Sequence, residues 1–466
     1  MLLQTTPDRD LGTRSLTDEV VLDDVPVLGT LPPWLQGTLL RNGPARFEAG
    51  EGGMRHWFDG LAMLHRFSIA DGHVSYANRF LRTKAFAAAE EGVVGYREFA
   101  SDPCRTLFNR VASLFVQNDI SDNAVVNMAR LGDRFIAMSE TPLPVVFDPM
   151  TLQTLGIDDR PPAQLPTAHP HIDAASGDII NAAVHLGPRS DYRLYTRSAT
   201  GGTKALAKIA VRRPAYLHSF GLTSRFIVMT LGPLTVEPTA LALSGRPFIE
   251  NYRWRPRQGT QFIAVERATG RVAGRWETDP LFVFHHINAF EESCDLVVDL
   301  CAYPDAQVID DLYLDRLRAG AAVSQARPRR FRLPLSGGAV TEQLLADVEL
   351  ELPRIDDSRN TLPYKVVWGT SRVEDFADAL VRLDVKAGET VTWHEPGCRP
   401  GEPVFVKRPC ATAEDDGVLL SLVLDSRQGH SSLLVLDAAT MDEVARAELP
   451  HHIPFGIHGQ FYDDIG

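Results

Sequence analysis

The residues with the clearest capacity for chemistry are histidines in distinctive sequence contexts. Among the 14 histidines of the chain, His169 lies in TAHPHID, His218 in AYLHSFGLT and His458 in IPFGIHGQF, while His285 and His286 adjoin in FVFHHINAFEE. Imidazole nitrogens are common ligands of iron, copper and zinc. None of these contexts is a local two-ligand motif such as HExxH. Any metal site would therefore have to be assembled from distant strands that converge on one point.

Each of these histidines also has a structural interpretation. A histidine flanked by apolar residues is more often a hydrogen-bonded core side chain than a metal ligand. Spacing along the chain does not decide between these interpretations for any single position. A further set is assigned to surface or structural roles: His65, His73, His394, His430, His451 and His452.

The elements that would position such a site are mainly β-hairpins. An apolar strand, an acidic residue, a short turn and a second strand recur around Asp71, Asp148, Glu266, Asp384 and Asp437. Asp-Gly, Asp-Pro, Thr-Gly and Ala-Gly favour such tight turns. Repeated hairpins over a long chain predict a β-propeller, for which six, seven or eight blades would all fit. Helical periodicity is confined to two stretches, 104–115 and 371–380, so a parallel α/β fold is a poor fit.

Composition narrows the classes of function. The 466 residues are 44% hydrophobic, and the net charge of -13 argues against a nucleic-acid partner, which would require a basic face. No apolar run reaches 18 residues, and the first residues lack the pattern of a signal peptide. Five dispersed cysteines without a CxxC pair favour a reducing cytoplasm. We expect a flexible tail over residues 1–20 and a single domain over 21–466.

Several ordered motifs resemble the carotenoid cleavage oxygenase family over nearly the whole chain. They are GTLLRNGPARFE, HWFDGLAMLHRFSIADGHVSYANRFLRT, the four histidine contexts, ELPRID, GEPVFVKRP and EDDGVLLSLVLD. The resemblance implies an all-β, seven-bladed propeller with a cap of helices and loops over its top face. It also implies one non-haem iron(II) ion per chain, with dioxygen as co-substrate. No further catalytic residue is implied.

The same resemblance implies the residues of the metal centre. The metal ligands would be His169, His218, His285 and His458, with His285 chosen over its neighbour. Three glutamates would hold the ligand rings: Glu140 in MSETP, Glu351 in ELPRI and Glu402 in GEPVF. A carboxylate that accepts a hydrogen bond from one ring nitrogen orients the other toward a metal. Four neutral ligands would leave coordination positions open for dioxygen.

The motif HWFDGLAML resembles the animal-type branch of the family and implies a lipophilic polyene substrate. Our leading expectation is central cleavage of β-carotene to retinal. Family members that cleave phenolic stilbenes resemble one another in having a lysine directly before the glutamate that corresponds to Glu140. This chain has Ser139 at that position, and the absence of the lysine argues against a phenolic substrate. Val126 is expected to border access of oxygen or substrate to the metal. The alternatives are a stilbenoid dioxygenase, a polyene isomerase and a non-enzymatic binding protein, and the oligomeric state is left open.

The segment SDPCRTLFNRVASLF resembles a membrane-docking element of the animal branch. Its apolar residues fall at helical spacing, which suits either a shallow interfacial anchor or a helix packed on the propeller. We expect peripheral membrane contact of a cytoplasmic protein, through Cys104, Leu107, Phe108, Val111, Leu114 and Phe115.

Overall fold

The propeller is built from seven antiparallel sheets. The computed structural model describes residues 10–49, 53–102, 120–158, 164–173 and 176–465. Within these residues, seven sheets of four to six strands follow one another in chain order as the blades of a β-propeller. The predicted all-β, seven-bladed fold is confirmed.

Two blades contain strands from both ends of the chain. Blade 1 is formed by Val21–Leu22, Gly37–Arg46, Leu61–Ala70, His73–Phe80 and the C-terminal Gly459–Tyr462. Blade 7 is formed by the N-terminal Val27–Gly29 together with Cys398–Pro400, Val404–Lys407, Gly417–Asp425, His430–Asp437 and Glu443–Glu448. The pairing of Leu39 with Phe461, and of Leu28 with Arg446, therefore closes the ring twice.

Blades 2 to 6 follow in chain order between these two. Blade 2 holds Asn127–Leu131, Arg134–Met138, Val145–Phe147 and Thr154–Ile157, and blade 3 holds Leu165–Pro166, His171–Ile172, Ile179–His185, Ser190–Arg197 and Thr203–Val211. Blade 4 holds Gly221–Leu222, Phe226–Leu231, Thr260–Glu266 and Val272–Thr278. Blade 5 holds Phe282–Glu292, Asp295–Tyr303, Arg327–Pro334 and Thr341–Leu344. Blade 6 holds Glu351–Arg354, Val366–Ser371, Ala379–Asp384 and Thr390–His394.

The predicted hairpins are confirmed, and their acidic residues explain the turns. At Asp148, Asp384 and Asp437, one carboxylate oxygen accepts the backbone N–H groups of the residues two and three positions later. This satisfies two donors that the turn would otherwise leave without partners. The hairpins at Asp71 and Glu266 likewise join neighbouring strands of one blade.

Buried aromatic residues hold neighbouring blades together. Phe262 of blade 4 and Phe331 of blade 5 are both fully buried, with ring centroids 5.1 Å apart. Trp368 of blade 6 stacks on Phe405 of blade 7 at 4.6 Å, and its indole N–H donates to the carbonyl of Ala438. Such contacts between the faces of adjacent sheets form the core of the ring.

A cap of short helices and loops covers one face of the ring. The described α-helices are Lys84–Glu90, Pro238–Leu243, Gln307–Asp311 and Leu314–Arg318. The described 3-10 helices are Leu11–Thr13, Trp57–Asp59, Ile249–Asn251, Pro256–Gln258 and Asp357–Arg359, and Leu234–Val236 pairs with Tyr252–Trp254 in a separate two-stranded sheet. Backbone bonds such as Trp57 N–H to the Leu312 carbonyl and Ile249 N–H to the Phe99 carbonyl join these segments.

Two expectations require correction. The predicted helix at 371–380 is wrong: Val366–Ser371 and Ala379–Asp384 are paired strands, and Asp378 accepts three backbone N–H groups of the turn between them. The predicted tail over 1–20 is not loose where the structure describes it. From residue 10 onward it packs on the ring, with Leu16 only 4% exposed and Gly12 directly against the Phe455 ring.

Candidate metal centre

Each of the seven blades supplies one of the seven predicted site residues. The histidines come from blades 1, 3, 4 and 5: His458 lies directly before Gly459–Tyr462, His169 between the two short strands of blade 3, His218 shortly before Gly221–Leu222, and His285 within Phe282–Glu292. The glutamates come from blades 2, 6 and 7: Glu140 follows Arg134–Met138, Glu351 begins blade 6, and Glu402 lies between the first two strands of blade 7.

The four histidine rings converge on one point. The four ring nitrogens that could bind a metal all lie within 4.8 Å of one another. The Nε2 atoms of His169 and His218 are 3.0 Å apart, and those of His285 and His458 are 3.2 Å apart. His218, His285 and His458 are at most 9% exposed, so these three side chains are largely shielded from solvent.

Three of the rings are fixed from behind by the predicted glutamates. The distance from Nδ1 to the carboxylate oxygen is 2.6 Å for His218 and Glu140, 2.5 Å for His285 and Glu351, and 2.9 Å for His458 and Glu402. Because Nδ1 of each ring faces an acceptor, Nδ1 carries the ring proton and donates a hydrogen bond to that glutamate side chain. The Nε2 lone pair is then left free toward the centre, as metal binding requires.

The arrangement suits a metal ion. Two lone-pair nitrogens about 3 Å apart repel each other unless a cation lies between them. Adjacent nitrogen ligands at right angles on one metal, each at about 2.1 Å, would themselves be about 3 Å apart. The described structure therefore contains a four-histidine group able to bind a metal.

Burial keeps the ligand rings in the form that binds metals. Desolvation, reinforced by repulsion from neighbouring imidazoles, lowers the pKa of His169 and of His218 well below the usual value. Desolvation also lowers the pKa of His458 to about 4, although Glu402 opposes the effect. Neutral imidazole is the species that coordinates a metal, so these rings need not lose protons at neutral pH before binding.

The three carboxylates have different surroundings. Burial alone would raise the pKa of Glu402, but the positive charges of Arg354 and Arg41 and the hydrogen bond from His458 outweigh it and hold that pKa well below its usual range. Arg41 Nη1 lies 2.8 Å from Glu402 Oε2, and both side chains are 2% exposed. The backbone N–H of Gly459 donates to the same oxygen at 2.9 Å. Glu402 is thus a full carboxylate within a buried ion pair.

Glu140 lacks such a cation. Among the described residues, its carboxyl contacts His218 Nδ1 and accepts a hydrogen bond from the Tyr216 hydroxyl at 3.0 Å. Burial raises the pKa of Glu140 to about 8. In the metal-free protein this carboxyl is therefore largely protonated at neutral pH, in contrast to Glu402.

Glu351 is held by strained backbone. Leu352 has φ of 48°, a left-handed conformation that costs a branched residue about 1–3 kcal/mol. The Leu352 N–H donates to Glu351 Oε2 at 2.7 Å. Burial would raise the pKa of Glu351, but the hydrogen bonds that it accepts from His285 and from the Leu352 N–H help to lower that pKa overall.

Two largely apolar cavities meet beside the histidine group. The larger, counted with the part that is open to solvent, spans about 1050 Å³ and is bordered by residues such as Trp57, Phe284 and Phe455. The smaller, counted in the same way, spans about 730 Å³ and is bordered by residues such as Phe99, Tyr216 and Phe248. Both cavities share the lining residues Phe58, Val126 and His218. A long apolar molecule that occupied both would pass directly over the metal centre.

Of the two predicted access residues, Val126 lies at this junction and Ser139 lies in the wall of the smaller cavity. Val126 is 7% exposed and lines both cavities, while Ser139 lines the smaller one. The Ser139 hydroxyl donates to the carbonyl of Asn123 at 2.8 Å and accepts from the Val125 N–H at 2.9 Å. The hydroxyl proton of Ser139 is therefore engaged by the backbone and is not free to be donated to a ligand.

Nearby histidines outside the group have other partners. His286 lies 2.8 Å from Ser219 Oγ through Nδ1 and 2.8 Å from Thr230 Oγ1 through Nε2. His171 Nε2 lies 3.0 Å from the carbonyl of Phe220. The structure therefore places both side chains in contacts between blades, away from the point where the other four rings converge.

Sequence reasoning missed two residues that position the site. Arg41 lies within the quoted motif GTLLRNGPARFE, and its place in an apolar strand was the available signal, since a buried arginine requires an anion. Tyr216 precedes His218 by two residues, a spacing that puts both on one side of extended chain. Neither signal identifies the partner, which comes from another blade.

The predicted membrane segment lies mainly outside the described residues. Of its motif, Ser101 and Asp102 are described, whereas Cys104, Leu107, Phe108, Val111, Leu114 and Phe115 are not. Among the helices that the structure describes, none is long and apolar enough to cross a bilayer.

Fold and site together define a β-propeller protein with a four-histidine group, able to bind a metal, beside two apolar cavities. Residues 13–463 match the sequence profile of the family described as retinal pigment epithelial membrane protein, RPE65. The chain belongs to this family of carotenoid oxygenases, which confirms the resemblance found in the sequence.

Individual relatives match over nearly their full length. A carotenoid isomerooxygenase of Galleria mellonella is 37% identical, with 98% of this chain and 97% of that protein aligned. The β,β-carotene 15,15'-dioxygenase of Rattus norvegicus is 31% identical over 94% and 89%. The structure of a cobalt-substituted Synechocystis apocarotenoid oxygenase (ACO) superposes with a TM-score of 0.86 at 28% identity, covering 98% of this chain and 99% of that one.

Proposed function

We propose that this protein is an iron(II) dioxygenase that cleaves one carbon–carbon double bond of a carotenoid to give two carbonyl products. The observation that carries the proposal is the junction of two apolar cavities at four convergent histidines. A polyene lying through both cavities would place an internal double bond beside the metal. The relatives named for carotenoid cleavage support the same chemistry.

The proposed ligands are His169, His218, His285 and His458, and the proposed metal is iron(II). Iron supplies the capacity to activate dioxygen, which zinc, although it would accept these nitrogens, lacks. That a related oxygenase has been obtained with cobalt in place of its own metal supports a site open to divalent transition metals. Histidine nitrogens are suitable ligands for iron.

The protein itself positions the ligand histidines and the polyene, and its apolar cavities exclude water from the substrate. Glu140, Glu351 and Glu402 orient three rings, so the ligand set is arranged before a metal arrives. The apolar cavity walls replace the hydration shell of a polyene and fix which double bond lies over the centre. We assign no general acid or base, because double-bond cleavage by dioxygen requires no proton transfer from the protein.

We assign β-carotene as substrate and its central bond as the site of cleavage, which yields two molecules of retinal. The rat relative named for the 15,15' bond supports this choice. The backbone-bonded hydroxyl of Ser139 speaks against a phenolic substrate, since it offers neither a positive charge nor a free donor. The 37% identity to a carotenoid isomerooxygenase favours a second candidate, in which cleavage is accompanied by isomerisation.

The test is a reaction of iron-loaded, detergent-solubilised protein with all-trans β-carotene in air, with products separated by chromatography. Retinal as the product is expected, and its isomeric form separates the two candidates: all-trans retinal alone for simple cleavage, and a cis isomer for coupled isomerisation. A longer apocarotenal would refute the assigned bond. Absence of cleavage by protein with a full complement of iron would refute the oxygenase assignment.

We also propose a cytoplasmic protein in peripheral contact with a membrane. Carotenoids partition into bilayers, so an enzyme that acts on them must collect its substrate there. The smaller cavity is lined by Arg97, Phe99 and Ile120, which flank the predicted docking segment in the chain. Flotation with phospholipid vesicles tests this proposal: the wild type should co-float, and the double variant Phe108→Ser, Phe115→Ser should not. Equal flotation of both would refute it.

A further inference from the structure

A buried carboxyl lines the smaller cavity and has no part in the metal centre. Glu98 is 9% exposed, yet it borders the cavity together with apolar residues such as Phe99, Ile120 and Phe248. Burying an acidic group against such walls is unfavourable without partners, and the side chain therefore needs an explanation.

The partners within the protein leave this carboxyl with capacity for another hydrogen bond. Ser121 donates its hydroxyl to Glu98 Oε1 at 2.5 Å. The side-chain amide of nearby Asn123 donates to the carbonyls of Asp59 and Gly60 and also interacts with the Glu98 carboxyl. A carboxyl group offers about four acceptor positions when ionised, and one donor with the remaining acceptors when protonated. The bonds from Ser121 and Asn123 do not exhaust the capacity of either form.

The charges around Glu98 favour a neutral ligand that can donate. The adjacent cation, Arg97, forms its ion pair with Asp102 at 2.9 Å. Two further buried acids, Asp59 and Asp122, lie close enough to disfavour ionisation of Glu98, and burial is the largest of the effects that raise its pKa well above the usual value. An anionic ligand would be repelled here, whereas a hydroxyl can both donate to and accept from a carboxyl.

We infer that Glu98 is a specificity residue that binds a hydroxyl group on one terminal ring of the polyene. The inference rests on the proposed function, since it assumes that a polyene occupies the cavity. It refines the substrate class to carotenoids with a hydroxylated ring, with β-carotene as a slower substrate. Among the described residues that line the larger cavity, the one acidic side chain is Glu351, which is predicted to hold a ligand histidine. The hydroxylated ring is therefore directed to the Glu98 side.

The experiment is a competition between β-carotene and its singly hydroxylated counterpart, β-cryptoxanthin, for iron-loaded protein. One hydrogen bond to a buried acceptor should favour the hydroxylated substrate about fivefold in kcat/KM. Glu98→Leu should abolish that preference, and Glu98→Gln should retain most of it, because the amide still donates and accepts. Glu91→Leu, the same change at an exposed glutamate outside the cavity lining, is the matched control.

A second measurement separates this inference from the proposed function. Quenching of tryptophan fluorescence reports polyene binding whether or not cleavage follows, and Trp57 borders the adjoining cavity. If β-carotene is cleaved but the hydroxylated substrate is neither bound nor cleaved in preference, the inference is refuted and the dioxygenase stands. If nothing is cleaved, yet Glu98→Leu weakens binding of the hydroxylated polyene alone, the dioxygenase is refuted and the inference stands. An unchanged preference in Glu98→Leu refutes the inference in either assay.

Discussion

The buried pair of Arg41 and Glu402 provides a quantitative test of how the centre is held. In Glu402→Gln the side chain keeps its shape and an oxygen that can accept from His458 Nδ1, but it loses its charge. Arg41, 2% exposed, is then left as a buried cation without its anion. Breaking a buried ion pair in this way costs about 3–5 kcal/mol, because the remaining charge is desolvated without compensation.

The expected shift in melting temperature follows from the size of the chain. Unfolding entropy is about 2.1 cal/mol/K per residue, so a chain of 466 residues has about 1 kcal/mol/K at its midpoint. The loss in Glu402→Gln should therefore lower the melting temperature by about 3–5 °C. The assay is differential scanning calorimetry after dialysis against a chelator, so that loss of metal does not contribute.

Glu140→Gln is the matched control. Glu140 also contacts a ligand histidine, but it has no cationic partner, and burial raises its pKa to about 8. The substitution replaces a largely protonated carboxyl with a neutral amide, and the melting temperature should fall by less than about 1 °C. Equal shifts in the two variants would refute the argument that the charge of Arg41 distinguishes Glu402 from Glu140.

Three further outcomes are expected. His218→Ala should reduce bound metal from about one ion per chain to a small fraction by plasma mass spectrometry, and retention of a full ion would count against the four-histidine assignment. Val126→Phe should obstruct the junction of the two cavities and lower kcat/KM at least tenfold with metal content unchanged; unaltered turnover would contradict the proposed path. Burial lowers the pKa of His65 to about 3, so this group remains neutral in the fold while the unfolded chain takes up a proton below pH 6.5. The free energy of unfolding should therefore fall by about 1.4 kcal/mol for each pH unit between pH 6.5 and 3 because of His65. In His65→Gln the plot of unfolding free energy against pH, measured by urea titration, should be shallower by that amount. An identical plot for the variant and the wild type would refute the assignment.

Much of the fold could be predicted from local patterns. The acidic hairpin turns at Asp148, Asp384 and Asp437 are specified by residues within a few positions of one another, and the structure contains all three. The helix predicted over 371–380 was wrong. The Asp378 side chain accepts the backbone N–H groups of the turn, and the periodic pattern of acidic residues in the sequence does not indicate these bonds. The N-terminal Gly12 packs against Phe455, which lies almost the whole chain away in sequence.

The site also has a part that the sequence predicts and a part that it does not. The seven residues that the family motifs indicate are brought together by the fold, and their assignment as metal ligands and ring-holding carboxylates remains a prediction until metal binding is measured. The motifs did not distinguish the three glutamates. Their differences arise from Arg41, Tyr216 and the left-handed backbone of Leu352, which are contacts between blades or local strain. Such features depend on register and ring closure rather than on residue type.

The C-terminal strand of blade 1 links the four-histidine group to closure of the ring. His458 precedes Gly459–Tyr462, the strand that pairs with Gly37–Arg46 to complete the ring, while His169 lies 289 positions earlier. A chain that has not joined its two ends lacks one of the four nitrogens. Metal held by all four would bind the closed ring in preference to any open form and would stabilise it by mass action. Metal occupancy would then report on the completeness of folding, and a cell short of the metal would accumulate chains that open at this seam.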